Sequence, residues 1–137
     1  MLLRCARAAA VLLALLTLAG CGGSSAELFA VERSGRIPGA ALSLRVHDDG
    51  RVRCNGVSRR LPDTLLLEAR GISRALVKPA KQRVALPPGP SSVLSYRVRL
   101  QYGTTSFADD SPGAPPAFAR LQRFTRAVAR QVCGLAR

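Results

Sequence analysis

The sequence predicts an α+β domain: an antiparallel sheet of four to five strands, in the order ββ(β)αββα, with two helices packed on one face. Three observations carry this. Apolar and polar residues alternate from Ala41 to His47 and again from Ser92 to Leu100, the period-two pattern of half-buried strands. Leu65, Ala69, Ile72 and Leu76 recur at helical spacing, as do Phe118, Leu121, Phe124, Thr125, Val128 and Val132. Clusters of turn formers separate these runs.

In chain order, Leu28 to Arg33 suits an edge strand, and Ser34-Gly35-Arg36-Ile37-Pro38-Gly39 turns the chain. Leu42, Leu44 and Val46 then share one face, with Ser43, Arg45 and His47 on the other. Asp48-Asp49-Gly50 predicts a hairpin, because Gly50 takes positive φ without steric cost, so Arg51 to Asn55 returns with Val52 and Cys54 on the buried side. Leu61-Pro62-Asp63-Thr64 starts the first helix. Proline there lacks only an N–H that would be unpaired anyway, and Asp63 suits the positive helix end. Gly71 weakens this helix by about 1 kcal/mol relative to alanine, and Pro79 marks its end. Residues 79–92, containing Pro87-Pro88-Gly89-Pro90, read as a loop that is either a recognition element or a spacer. Leu94, Tyr96, Val98 and Leu100 oppose Val93, Ser95, Arg97 and Arg99 in the next strand. A turn at Gln101-Tyr102-Gly103 leads into Thr104 to Ala108, and Asp109-Asp110-Ser111-Pro112-Gly113 breaks that strand. Pro115-Pro116 opens the last helix, which Gly134 ends.

The first twenty residues read as a leader. Arg4 and Arg7 precede an apolar run from Ala8 to Leu18, and Leu18-Ala19-Gly20-Cys21 closes it in a pattern that resembles a bacterial lipoprotein signal. That pattern implies a diacylglycerol on the Cys21 thiol and cleavage just before it. A membrane-spanning helix needs about 20 apolar residues, and this run gives way sooner to Gly20, Gly22, Gly23, Ser24 and Ser25. The expected organisation is a signal peptide at 1–20, a flexible tether at 21–27 and a single domain at 28–137. Two acyl chains suffice to hold a protein stably on a membrane, so the expected location is the outer face of the cell membrane.

Four cysteines then sort by position. Cys5 lies in the leader and Cys21 would carry lipid, which leaves Cys54 and Cys133. In an oxidising compartment these are expected to form one structural disulfide, worth about 4 kcal/mol in the chain-entropy account; two separate buried thiols are the alternative. With His47 the only histidine and no CxxC spacing, neither a metal site nor a cofactor is expected.

The chain carries 21 basic and 8 acidic residues, for a net charge of +13. Nucleic acid is not the expected partner, because four phenylalanines and two tyrosines form no stacking platform interleaved with the charge. The strand alternation sends Arg45, His47, Arg51, Arg53, Arg97 and Arg99 to the outer sheet face. Arg120, Arg123, Arg126 and Arg130 make a second row on the last helix. Both rows read either as solvated faces or as surfaces for anionic lipid or wall polymer. Asp48-Asp49 and Asp109-Asp110 read as turn residues instead of an acid–base or calcium pair. No nucleophile motif accompanies His47, so a monomeric, non-catalytic protein is expected.

Several segments carry a resemblance. Glu32-Arg33-Ser34-Gly35 with Pro38-Gly39, the Asp-Asp-Gly hairpin, Ser95-Tyr96-Arg97-Val98, and Phe107 through Asp109-Asp110 to Pro115-Pro116-Ala117-Phe118 resemble uncharacterised lipoproteins of actinobacteria. They are also similar to the emfourin-type inhibitors of thermolysin-like metalloproteases, over most of residues 28–133. The resemblance implies an antiparallel sheet with helices and no catalysis: a membrane-anchored binding module, inhibitor-like, whose partner is a protease or an envelope protein. A basic binder of anionic lipid or cell-wall polymer, or a structural accessory of an envelope complex, is the alternative. The chain differs from the inhibitors in its lipid anchor, its Cys54 and Cys133 and its Pro-rich loop, and no inhibitory contact residue transfers by position.

Overall fold

The structure, a computed structural model, describes residues 23–137. The leader and Cys21 lie outside the described residues. The domain is an α+β fold with one antiparallel sheet of six strands, in the order β4-β3-β2-β1-β5-β6, and two helices. The strands are β1 (Glu27–Gly35), β2 (Leu42–His47), β3 (Arg51–Cys54), β4 (Val57–Arg60), β5 (Leu94–Leu100) and β6 (Gly103–Ala108). The helices are α1 (Asp63–Lys81) and α2 (Pro116–Gln131).

The strand alternation sorts residues as expected. Phe29, Val31, Leu42, Leu44, Val46, Val52, Cys54, Tyr96, Val98 and Phe107 point into the core, where Leu65, Ala69, Ile72 and Leu76 of α1 and Phe118, Leu121, Phe124 and Val128 of α2 meet them. Burying a large apolar side chain fully contributes about 1.5–3 kcal/mol, so this one-sided core drives the fold.

Helix α2 crosses the sheet. Near its start Phe118 stacks on Phe107 of β6 (4.1 Å between centroids), and Phe107 in turn stacks on Tyr96 of β5 (5.1 Å). Midway, Phe124 meets Phe29 of β1 edge-on at 5.8 Å. Just past the last turn, Cys133 is bonded to Cys54 of β3, with Cα atoms 5.8 Å apart. The disulfide therefore pins the far end of α2 to the opposite half of the sheet.

Four sequence expectations need correction. The sheet has six strands, one more than the upper count, because β4 contains no buried residue and so no apolar alternation to reveal it. Its signal was the Asn55-Gly56 pair: both residues take positive φ (49° and 84°), the two-residue turn that matches strand twist and joins β3 to β4. Strand β1 is central, between β2 and β5, and not an edge. It begins at Glu27, and Asp48 donates its N–H to Ala26 O (2.9 Å), so the ordered pairing reaches into the expected tether. Helix α1 runs past Pro79 to Lys81, since a proline one turn from the end forfeits a single backbone bond while its ring is buried. The segment after α1 is the loop expected, held to the sheet by one isolated bridge. Ser106 donates to Val84 O (3.0 Å) and Leu86 to Ser106 O (2.9 Å), so it lies along the edge of β6 and caps it.

Two stability outcomes follow. Replacing Cys54 and Cys133 together by alanine should lower the unfolding free energy by about 4 kcal/mol, measured by urea denaturation against the oxidised parent. Thr125 of α2 is fully buried and its hydroxyl has no partner among the described residues. Exchanging it for a methyl in Thr125→Val removes an unsatisfied polar group, so the same measurement should show a gain of about 1 kcal/mol.

Candidate functional site

With both helices on one side, the other face of the sheet is open, and strand register sets its charges in rows. One row reads Arg53, Arg45, Ala30, Arg99 and Thr104 across β3, β2, β1, β5 and β6. The next places Ser43, Glu32, Arg97 and Ser106 side by side. The four arginines Arg45, Arg53, Arg97 and Arg99 are thus brought onto one exposed surface, with Arg51 beside them. Carboxylates partly offset them. Glu27 meets Arg99 at 3.1 Å and Arg45 at 3.9 Å, and Glu32 accepts from the Ser43 hydroxyl at 2.8 Å. Exposed pairs of this kind are worth about 0–1 kcal/mol, so they orient side chains more than they hold the fold.

The adjacent carboxylates of the β2–β3 hairpin diverge. Asp48 takes Arg70 of α1 at 2.7 Å, tying hairpin to helix. Asp49 turns the other way and accepts from the Arg51 backbone N–H (3.0 Å) and guanidinium (2.7 Å). Those bonds, the backbone one foremost, hold its carboxyl well below the usual carboxylate range, at about 2. His47 lies beside them with Nδ1 3.3 Å from Ser25 O. Asp48 and Asp49 are thus each engaged by a different arginine.

The Glu-Arg-Ser-Gly segment is consumed by the fold. Arg33 alternates inward with Phe29 and Val31 and is only 4 % exposed. Its guanidinium donates to the backbone oxygens of Ala40 (2.8 Å), Gly39 (3.2 Å) and Arg137 (3.1 Å), beside the buried Tyr96 phenol. Burial pushes the Arg33 pKa down and the Tyr96 pKa up. At Gly35 a Cβ would collide with the Val93 carbonyl oxygen of the neighbouring loop. Arg33 and Gly35 therefore serve packing.

Asp109 and Asp110 do something different. Asp110 accepts the N–H groups of Gly89 (2.9 Å) and Ser91 (2.7 Å), Asp109 accepts that of Val93 (3.0 Å), and the Ser111 hydroxyl donates to Pro87 O (2.8 Å). Three consecutive side chains thus clamp the Pro87–Val93 strap, while Pro87, Pro88, Pro90 and Ser91 remain exposed. Beside it runs a groove of about 450 Å³ between Leu86 and Pro88 on one wall and Ser95, Arg97, Glu32 and Ser106 of the open sheet face.

On α2 the expected row of four arginines divides. Arg120 reaches toward α1, where its guanidinium nitrogen would lie 3.1 Å from a Cβ at Gly71. Glycine in mid-helix, costly by propensity, here leaves room for that side chain. Arg123, Arg126 and Arg130 instead line one shallow depression of about 530 Å³ with Ala127 and Gln131. Among the described residues there is no cluster of three metal-ligating side chains, and no helix is long and apolar enough to cross a membrane.

The geometry defines a one-sided α+β sheet with a clamped strap and two basic surfaces. Comparison of the chain with protein-family models, with curated proteins and with solved structures returned no match. In the strap, removing the clamp in Asp110→Ala should speed hydrogen exchange at the Gly89 and Ser91 amides by at least about tenfold, because bonds to a carboxylate are worth about 1.5–3 kcal/mol. Exchange followed by NMR would register it, with the Val84–Ser106 pairing unchanged.

Proposed function

We propose that this chain is an exported, lipid-anchored, non-catalytic binding module that presents its clamped strap to a protein partner, in the manner of the protease inhibitors its motifs resemble. One observation carries the reading: the Pro87–Val93 strap is exposed yet fixed by Asp109, Asp110 and Ser111. A loop already held in one conformation loses little entropy on docking, which is how rigid recognition elements gain affinity. Export is supported by the Cys54–Cys133 bond, of a kind that persists in oxidising compartments. Anchoring rests on the lipoprotein-like pattern at Cys21.

A second reading, attachment of the open sheet face to anionic headgroups, is favoured by the position of Ser25. Its carbonyl oxygen lies against His47 and its hydroxyl 3.4 Å from Arg51, so the tether leaves along that face. Ser25 is four residue steps from Cys21, a reach of at most about 14 Å. Arg45, Arg53 and Arg99 would then stand near the lipid surface, each adding about 1 kcal/mol at low ionic strength.

The deciding experiment titrates secreted thermolysin-like metalloproteases with the full chain in uncharged detergent. Stoichiometric loss of protease activity is expected, weakened at least tenfold in Asp110→Ala; full activity at excess protein overturns the inhibitory reading. The intact mass of the native membrane product should show a diacylated Cys21 as first residue. Retention of Cys21→Ser on anionic but not on neutral vesicles would transfer the proposal to the second reading.

A further inference from the structure

We infer that the α2 face formed by Arg123, Arg126 and Arg130 is a docking surface for a linear, phosphate-bearing polyanion. It deepens the binding-module reading and does not depend on the lipid anchor. Charge placement sets this face apart. Every acidic residue of the described domain lies elsewhere: Glu27 and Glu32 on the open sheet face, Asp48 and Asp49 in the hairpin, Asp63 and Glu68 on α1, Asp109 and Asp110 on the strap clamp. Among the described residues none of these three arginines takes part in an ion pair. Like charges three and four residues apart on a helix oppose its formation by about 0.2–0.5 kcal/mol per pair. The open sheet face, by contrast, carries its own carboxylates among its arginines.

Shape and chemistry narrow the occupant. Arg123 to Arg130 spans about 10 Å along the helix at 1.5 Å per residue, a line of cations with successive members one turn apart. That is the arrangement a chain of repeating anions can follow, and guanidinium forks bind phosphate oxygens bidentately. A protein partner would need a desolvated apolar centre. None is present, since the large exposed apolar residues, Val57, Leu67, Val93 and Tyr102, all lie off α2. The bilayer is disfavoured by position, because the tether leaves along the sheet face and α2 covers the opposite face.

The test uses the purified full chain in uncharged detergent, with inorganic polyphosphate as probe and poly-glutamate and phosphatidylglycerol vesicles as separate arms. Polyphosphate should bind, with a log–log salt slope of about −2, as release of counterions from three phosphate contacts along a single strand predicts. Arg123→Glu/Arg126→Glu/Arg130→Glu should lose at least tenfold in affinity while Arg74→Glu/Lys78→Glu/Lys81→Glu on the exposed face of α1, of identical net charge change, should lose no more than about twofold. Circular dichroism and the urea midpoint verify that each variant is folded, and Arg→Gln at the same three positions serves if the reversal unfolds α2. Equal losses from the two faces would make the effect one of net charge and overturn the inference. So would poly-glutamate binding as tightly as polyphosphate, or binding to vesicles without binding to polyphosphate.

Discussion

The placement of α2 across the inner face of the sheet is the constraint on which the rest depends. Its contacts run from Phe107 on β6, through Phe29 on β1, to Cys54 on β3. Strands at opposite ends of the sheet are thus referred to a single rigid element. Because α1 packs on the same side, the other side of the sheet stays wet, and that asymmetry accounts for the alternation of leucine and valine with arginine along β2, β3 and β5. The covalent bond acts beyond the last turn of α2, at Cys133. Constraining the unfolded chain over a separation of 79 residues makes that end cost more to release.

How legible this was in the sequence depended on whether burial left a period. Leu42, Leu44 and Val46, Tyr96 and Val98, and both helical stripes could be read because one face of each element is dry. β4 could not, because Val57, Ser58, Arg59 and Arg60 are all exposed; only the turn chemistry of Asn55-Gly56 announced it. The central place of β1 was hidden for another reason: which strands neighbour each other is decided by long-range pairing, and six residues of β1 pair with β5 across more than half the domain. The Cys54–Cys133 pairing was reachable by elimination of the other cysteines. The division of the arginine row on α2 was not, since it turns on a gap at Gly71 in a different helix.

Residues that stand out as motifs turn out to have unlike jobs. Arg33 and Gly35 close the fold around the 36–40 turn and the Val93 carbonyl, so a similarity built on them speaks about architecture. Asp109 and Asp110 have an outward result, because they stiffen a proline-rich segment that remains open to solvent. Asp48 and Asp49 are likewise adjacent carboxylates, yet each is engaged by a different arginine. Identical dipeptides thus end as a clamp in one place and as hairpin anchors in the other, according to the amides and guanidinium groups within reach.

The two borders of the sheet are treated differently. β6 is shielded by the 84–86 segment, whereas β4 offers its outer backbone groups to solvent. Strand-to-strand stacking of two copies through β4 would bring Arg59 and Arg60 of one against the same residues of the other. Coulombic repulsion at that seam, together with its length of only four residues, guards the molecule against edge-to-edge pairing with a second copy.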